Sequence, residues 1–433
     1  MPIRLGVKTM EKYLDEIALL CSQMSEKQMR SLPLCAAENV ISPFAKIPLD
    51  SFLQEKYIMG GVLEYSNVNN FLEGKDLFEF YKILNRQCHN LFGSLYADAR
   101  TLSGVNAVMV LLMSLFKAGD TIYITPEDCG GHTSMPLICR RLGINTVELP
   151  YDYEKMDYDY ITANRYMENN RVAGILICPS DILSQPSLGL FQLPSECILI
   201  YDATQTLGLI ASGVNKNPMS IFSNTDNFIL MGATHKTLPG PTCGLIMTKN
   251  EILAETFDKK INPDYLRNVQ FHQILCLILV LTEISEFGAD YGAQIIKNAN
   301  HLAKELESRN FKIVTGSAMN EFTDSHQIFI SLDENLIESF VDRCFQYGIT
   351  LNARYRKIYK DAGIRIGTQE ITRYGWKEYE MVKIADILFA LKNGDFSPQE
   401  ISNQINLLSH QKNVCYSFPS DDFMKIRNSL HNS

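Results

Sequence analysis

Lys236 stands in the octapeptide THKTLPGP (residues 234–241), between a histidine and a Pro-Gly-Pro turn, just after the apolar run Phe228–Met231. Small and polar neighbours and three helix breakers hold it in a constrained loop at the end of a buried strand, where chains place chemistry. Such a lysine can carry an aldehyde cofactor as a Schiff base if its surroundings lower the amine's pKa. Asp202 follows another apolar run, CILIY; an aspartate there can keep a pyridine nitrogen protonated and make the ring an electron sink. His132 in CGGHTS can stack on a flat ring, and Ser103-Gly104 open a helical pattern whose N-terminus can cradle a phosphate. Arg365 in AGIRIGTQ can clamp an amino-acid carboxylate. Each has a plain structural reading taken singly: an aspartate caps or turns, a histidine after two glycines is a loop residue, an arginine in a strand is a salt-bridge partner. Their combination and order point to amino-acid chemistry.

The elements that must position these groups are legible as runs of four to six apolar residues bounded by turn signals. TIYI at 121, AGILIC at 173, CILIY at 197, NFILM at 227 and GLIM at 244 read as strands buried on both faces of a parallel sheet, with helices between them. Ligands on such sheets bind at the strands' C-terminal ends. FHQILCLILVLTEISEFG reads as one helix leaving this unit, and FKIV, QIFISL and GIRIG as strands of a smaller α/β unit. The expected organisation is a helical arm over 1–45, a large domain over 46–285 and a small C-terminal domain with a polar tail over 286–433.

Composition bounds the function classes. The chain has 433 residues, a net charge of −9 and no basic run, which argues against nucleic-acid binding. The eleven cysteines are scattered without a CxxC pair, so neither a disulfide scaffold nor a metal cluster is expected, and reduced thiols suit a cytoplasmic protein. The N-terminus carries charges throughout, unlike a secretory leader. The most apolar run, Ile274–Leu281, is far shorter than the roughly 20 residues a membrane span needs.

The stretches AAEN (36–39), LSGVNA (102–107), GGH (130–132), YDATQTLGLIASG (201–213), THKTLPGP (234–241) and GIRIGTQEITRYG (363–375) together resemble the serine hydroxymethyltransferase family of pyridoxal-phosphate enzymes. THKTL and GIRIGT are the specific matches. The resemblance implies fold type I of the aspartate aminotransferase superfamily, with a mostly parallel seven-stranded sheet, and a homodimer with its active site at the interface. It implies that Lys236 holds pyridoxal phosphate, Asp202 pairs with the pyridine nitrogen, His132 stacks on the ring and Arg365 grips the substrate carboxylate. Ser103, Gly104, Val105, Ser180, Gln205, Thr234 and His235 would line the cofactor, Glu38 the substrate, and Tyr57 would reach the neighbouring subunit's site.

Departures from the family pattern bear on the reaction. Met59 stands where a glutamate is expected and cannot move protons or assist one-carbon transfer from folate. Ala37 replaces a serine, Gln205 a histidine and Val105 a phosphate-loop serine, while Arg267 stands among expected glycines and is assigned a phosphate contact. Glu127 and Arg354 replace an apolar residue and an asparagine on the folate side. The resulting expectation is a folate-independent aldolase or transaldolase that makes or breaks the Cα–Cβ bond of a β-hydroxy-α-amino acid, with an aldehyde as second substrate. Alternatives are a true tetrahydrofolate-dependent hydroxymethyltransferase, an aminotransferase or decarboxylase, and a non-catalytic relative.

Overall fold

The computed structural model describes residues 7–63, 66, 71, 74–394 and 396–431. Helix α1 (Val7–Met29) leads the chain, and most of its apolar side chains face outward. Seven strands then form one sheet: β1 (Tyr96–Thr101), β2 (Thr121–Ile124), β3 (Asn145–Glu148), β4 (Gly174–Ile177), β5 (Ile198–Asp202), β6 (Phe228–Ala233) and β7 (Gly244–Thr248). Their spatial order is β1-β7-β6-β5-β4-β2-β3. The pairs β6–β5, β5–β4, β4–β2 and β2–β3 are parallel, and β7 runs antiparallel to both of its neighbours.

Alternation along the strands explains why both faces must be covered. Ile122, Ile124, Leu176, Ile200, Ile229, Met231 and Ile246 pack on one side with helix α2 (Gly104–Leu115), while Tyr123, Ile175, Ile177, Leu199, Tyr201, Phe228, Leu230, Leu245 and Met247 pack on the other. Five of the strands coincide with the apolar runs read from the sequence. The other two escaped that reading for physical reasons. In β1, Tyr-Ala-Asp-Ala-Arg-Thr, the charges neutralise each other: buried Arg100 meets Asp98 and Asp258, each at 2.6 Å. Strand β3 is an exposed edge with no buried residue.

The apolar stretch after residue 270 forms helix α3 (Phe271–Ser308), with Ile274–Leu281 buried against the sheet. Residues 285 and 286, where the sequence suggests a domain boundary, lie inside this unbroken helix. Beyond it, β8 (Lys312–Val314), β9 (Gln327–Ser331), β10 (Asn352–Arg354) and β11 (Gly363–Gly367) make an antiparallel sheet of order β8-β9-β11-β10. In its register Asn352 lies opposite Arg365, and Phe329 opposite Arg365 on the other side. Leu32–Pro33 of the N-terminal segment pair with Ile349–Thr350, so residues 32–36 pack on this smaller unit. The final helix, α4 (Ser420–His431), returns to the large core, where Phe418 and Phe423 meet Phe44. No helix among the described residues is long and apolar enough to cross a membrane.

Candidate active site

The loop after β6 is locked by hydrogen bonds on both flanks of Lys236. The Thr234 hydroxyl donates to the Pro241 carbonyl and the Gly240 amide to the Thr234 carbonyl at 2.7 Å. The Thr237 hydroxyl donates to the Gln205 carbonyl at 2.9 Å and accepts from the Gly208 amide. The Lys236 carbonyl accepts from the Asn39 side chain. Lys236 keeps some accessible surface, as a group that receives a ligand must. Burial nonetheless lowers its pKa to about 8, helped by Arg365 and opposed by Asp202, Cys178 and Asp181. The charges of all four groups therefore reach the amine.

Asp202 ends β5 one strand away. Its Oδ1 accepts from the Thr204 amide at 2.9 Å and its Oδ2 from the Cys178 thiol at 3.1 Å. Each oxygen therefore has one donor, and lone pairs remain for a further N–H. His132 is held by the glycines before it. A Cβ on Gly131 would lie 2.2 Å from the Thr125 carbonyl oxygen, so only glycine lets this turn press against the ends of β2 and β4. The His132 amide then donates to the Cys178 carbonyl at 3.0 Å, and its Nδ1 accepts from the Ser134 amide. The imidazole's proton is thereby assigned to Nε2. Burial lowers its pKa, and Asp202, Lys236, Arg356 and Asp181 all act on it. Burial also brings His235 to about 4, which keeps it neutral.

Ser103 caps α2 by accepting from the Asn106 amide at 3.2 Å. The amides of Gly104 and Val105, in the open first turn, have no acceptor within the helix. A Cβ on Gly104 would come 2.9 Å from Cβ of Ala233, so the helix starts directly beside the end of β6. This N-terminus presents amides and a positive dipole end next to the lysine loop.

Arg365 lies on β11, almost wholly buried. Its Nη1 donates to the Ser180 carbonyl at 2.6 Å and to Asp181 at 2.9 Å, its Nη2 to Asn352 at 2.9 Å, and its Nε is buried without a partner. Asp181 also receives Arg354 at 3.1 Å and Arg356 at 2.5 Å. This trio, Arg365 first, holds its carboxyl below the usual range despite burial. Gln327 bridges the cluster to the cofactor side, donating to the Ser180 carbonyl at 3.1 Å and to Gln205 Oε1 at 2.9 Å.

The structure thus gathers Lys236, Asp202, His132, Ser180, Gln205 and Arg365 into one site, with Ser103, Gly104 and Val105 at its helix end. Thr234 is placed there too, but its hydroxyl is spent on the loop's own carbonyl, so its contribution is to the shape of the loop rather than to a ligand. Glu38 lies on the exposed rim, its carbonyl accepting from Gln369 at 2.6 Å. Tyr57 and Arg267 are both exposed. Their segments are stitched together by the Val269 amide to the Ile58 carbonyl at 2.9 Å and the Ile58 amide to Asn268 at 3.0 Å, and Tyr57 packs its ring on Phe71. Asp181, Arg356, Asn352, Gln327 and Cys178 were not singled out from the sequence as site residues. The available signal was the spacing of Asn352, Arg354 and Arg356, two apart and hence on one face of an extended segment.

A pyridine aldehyde bearing a phosphate fits these residues: a lysine of lowered pKa, a carboxylate with one donor on each oxygen, and a helix start with open amides. The serine hydroxymethyltransferase family model matches residues 10–388. The chain is 31% identical over 411 residues to a serine hydroxymethyltransferase of Archaeoglobus fulgidus, covering 92% of this chain and 91% of that one. It is 30% identical over 416 residues to that of Thermoplasma volcanium, covering 90% and 93%. The crystal structure of an L-threonine transaldolase from Pseudomonas fluorescens shares the fold, with a TM-score of 0.88 at 23% identity over 98% of both chains. This chain belongs to the serine hydroxymethyltransferase family, pyridoxal-phosphate-dependent enzymes of fold type I and of transferase or lyase kind.

Proposed function

We propose that the protein makes or breaks the Cα–Cβ bond of a β-hydroxy-α-amino acid without folate, as an aldolase or transaldolase. The observation that carries this reading is the pairing of a complete lysine–aspartate–histidine–arginine set with Met59 where a proton-moving glutamate is expected. Lys236 would hold pyridoxal phosphate, Asp202 its ring nitrogen, His132 its face, Gln205 Nε2 its ring oxygen, and the α2 amides with Ser103 its phosphate. When bound, the cofactor supplies an electron sink for the pair released at Cα.

The chain's own groups do the rest. Arg365 orients the substrate carboxylate, with Asn352 and Asp181 fixing the guanidinium plane. As the Cα–Cβ bond breaks, the β-hydroxyl proton passes to the Lys236 amine, whose pKa of about 8 suits proton transfer near neutrality. The hydroxyl carbon leaves as an aldehyde, and Cα then takes a proton or attacks a second aldehyde. His132 is poorly suited to that proton, because its Nδ1 already accepts from Ser134 and its Nε2 carries hydrogen.

A second copy of the chain is part of this reading. Leu14, Ile17, Leu20 and Met24 of α1 are all more than half exposed, and Tyr57 shares an exposed surface with Arg267, which suits donation of both across a dimer interface. The folate-dependent reading is favoured by the names of the curated relatives, which are serine hydroxymethyltransferases. Glycine release from L-threonine and L-serine, measured on the holoenzyme with and without tetrahydrofolate, separates the two. Cleavage or aldehyde exchange indifferent to folate is expected. Conversion of serine to glycine only when tetrahydrofolate is present would overturn the proposal.

A further inference from the structure

Three guanidinium groups converge on the single carboxylate of Asp181: Arg365 at 2.9 Å, Arg354 at 3.1 Å and Arg356 at 2.5 Å. Three positive charges against one negative charge leave two. A further carboxylate, Glu127, stands 3.9 Å from Arg356 but is 55% exposed, so water screens it. Like charges crowded around one buried carboxylate, one of them buried and two only partly exposed, are unfavourable unless an anion joins them. The binding role given above to Arg365 uses one of the two excess charges for the α-carboxylate. The other belongs to Arg354 and Arg356.

Access follows the same division. The Asp181 side chain is fully buried and that of Arg365 is 4% exposed, whereas Arg354 is 23% and Arg356 11% exposed. Arg356 reaches Asp181, whose amide donates to the Gly130 carbonyl at 3.2 Å two residues before His132, so it borders the turn that carries His132 rather than a remote surface. Strand alternation puts Arg354 and Arg356 on the same side of the chain as Asn352, which holds Arg365. Asp181 is therefore a divider: it fixes all three guanidinium groups while neutralising only one.

We propose that the site selects amino acids whose side chain carries a second anion beyond Cβ, a carboxylate or a phosphate, seated on Arg354 and Arg356. This rests on the reading that Arg365 holds the α-carboxylate of an amino-acid substrate, and it extends that reading to the substrate class. It implies that the aldehyde released or accepted bears the same anion.

The test is a titration of the holoenzyme followed by the cofactor's visible absorption, which reports amino-acid binding whichever bond later breaks. The pairs are L-aspartate against L-asparagine, L-glutamate against L-glutamine and O-phospho-L-serine against L-serine. At least one anionic member is expected to bind ten-fold or more tightly than its neutral partner, with the preference falling at high salt. Arg356→Gln and Arg354→Gln should each cut that preference several-fold, while Arg356→Lys, which keeps the charge, should retain most of it. Binding of neutral and anionic members with equal affinity overturns this inference and leaves the proposed function intact. No spectral response to any amino acid overturns the reading beneath it. A preference that survives both glutamine variants also overturns the seat assigned here.

Discussion

The lowered basicity of Lys236 can be tested without any substrate. An ordinary lysine with a pKa near 10.5 is about one part in a thousand neutral at pH 7.5, whereas one at about 8 is about a quarter neutral, a gain of roughly 200-fold in nucleophile. The structure assigns the shift first to burial and then to Arg365, with Asp202, Cys178 and Asp181 pulling the other way. Competitive acetylation of the apoprotein across pH, with the Lys236 peptide followed by mass spectrometry, should show reactivity that rises and levels off with a midpoint near 8. Asp202→Asn removes the carboxylate that favours the charged amine, so its midpoint should move further down. A wild-type midpoint near 10, or an upward shift in the variant, would refute the electrostatic account of this site.

Other expectations follow from particular contacts. Gly131→Ala forces a methyl against the Thr125 carbonyl oxygen, 2.2 Å from the Cβ position; a loss of about 1–3 kcal/mol, seen as a lower Tm together with weaker cofactor retention, is expected, and an unchanged Tm would contradict the close approach. Asp181→Asn leaves three guanidinium groups without their buried counter-charge and should cost about 3–5 kcal/mol in denaturant unfolding. Because the folded carboxyl titrates below its unfolded value, that contribution is fully present above pH ~4 and fades as pH falls towards the depressed folded value, so the gap between wild type and variant should close in acid. Thr237→Val keeps the shape but removes the hydroxyl shared by the Gln205 carbonyl and the Gly208 amide; about 1–3 kcal/mol of stability and slower cofactor capture are expected, read by thermal unfolding and by growth of the visible absorption. Lys236→Ala should show no covalently held cofactor after borohydride treatment, and a labelled peptide elsewhere would move the anchor.

What could be read from the sequence divides along a physical line. Lys236 and Asp202 were legible because each closes or follows a run whose burial on both faces forces it into a strand, so a position at the ligand-binding edge follows from local pattern alone, whereas His132 was read only from the two glycines before it. Strand β1 was not, because its polar residues become buriable only through the pairing of Arg100 with Asp98 and with Asp258, far along the chain. Asp181 is the same case at the site: its meaning depends on Arg354, Arg356 and Arg365, brought to it by the pairing of β10 with β11. The two readings of Arg365 open in the sequence, salt-bridge partner and carboxylate clamp, were posed as alternatives, and the structure shows the first without removing the second. One aspartate cannot neutralise three arginines, and a guanidinium whose plane is fixed by an internal carboxylate is better organised to meet an external one.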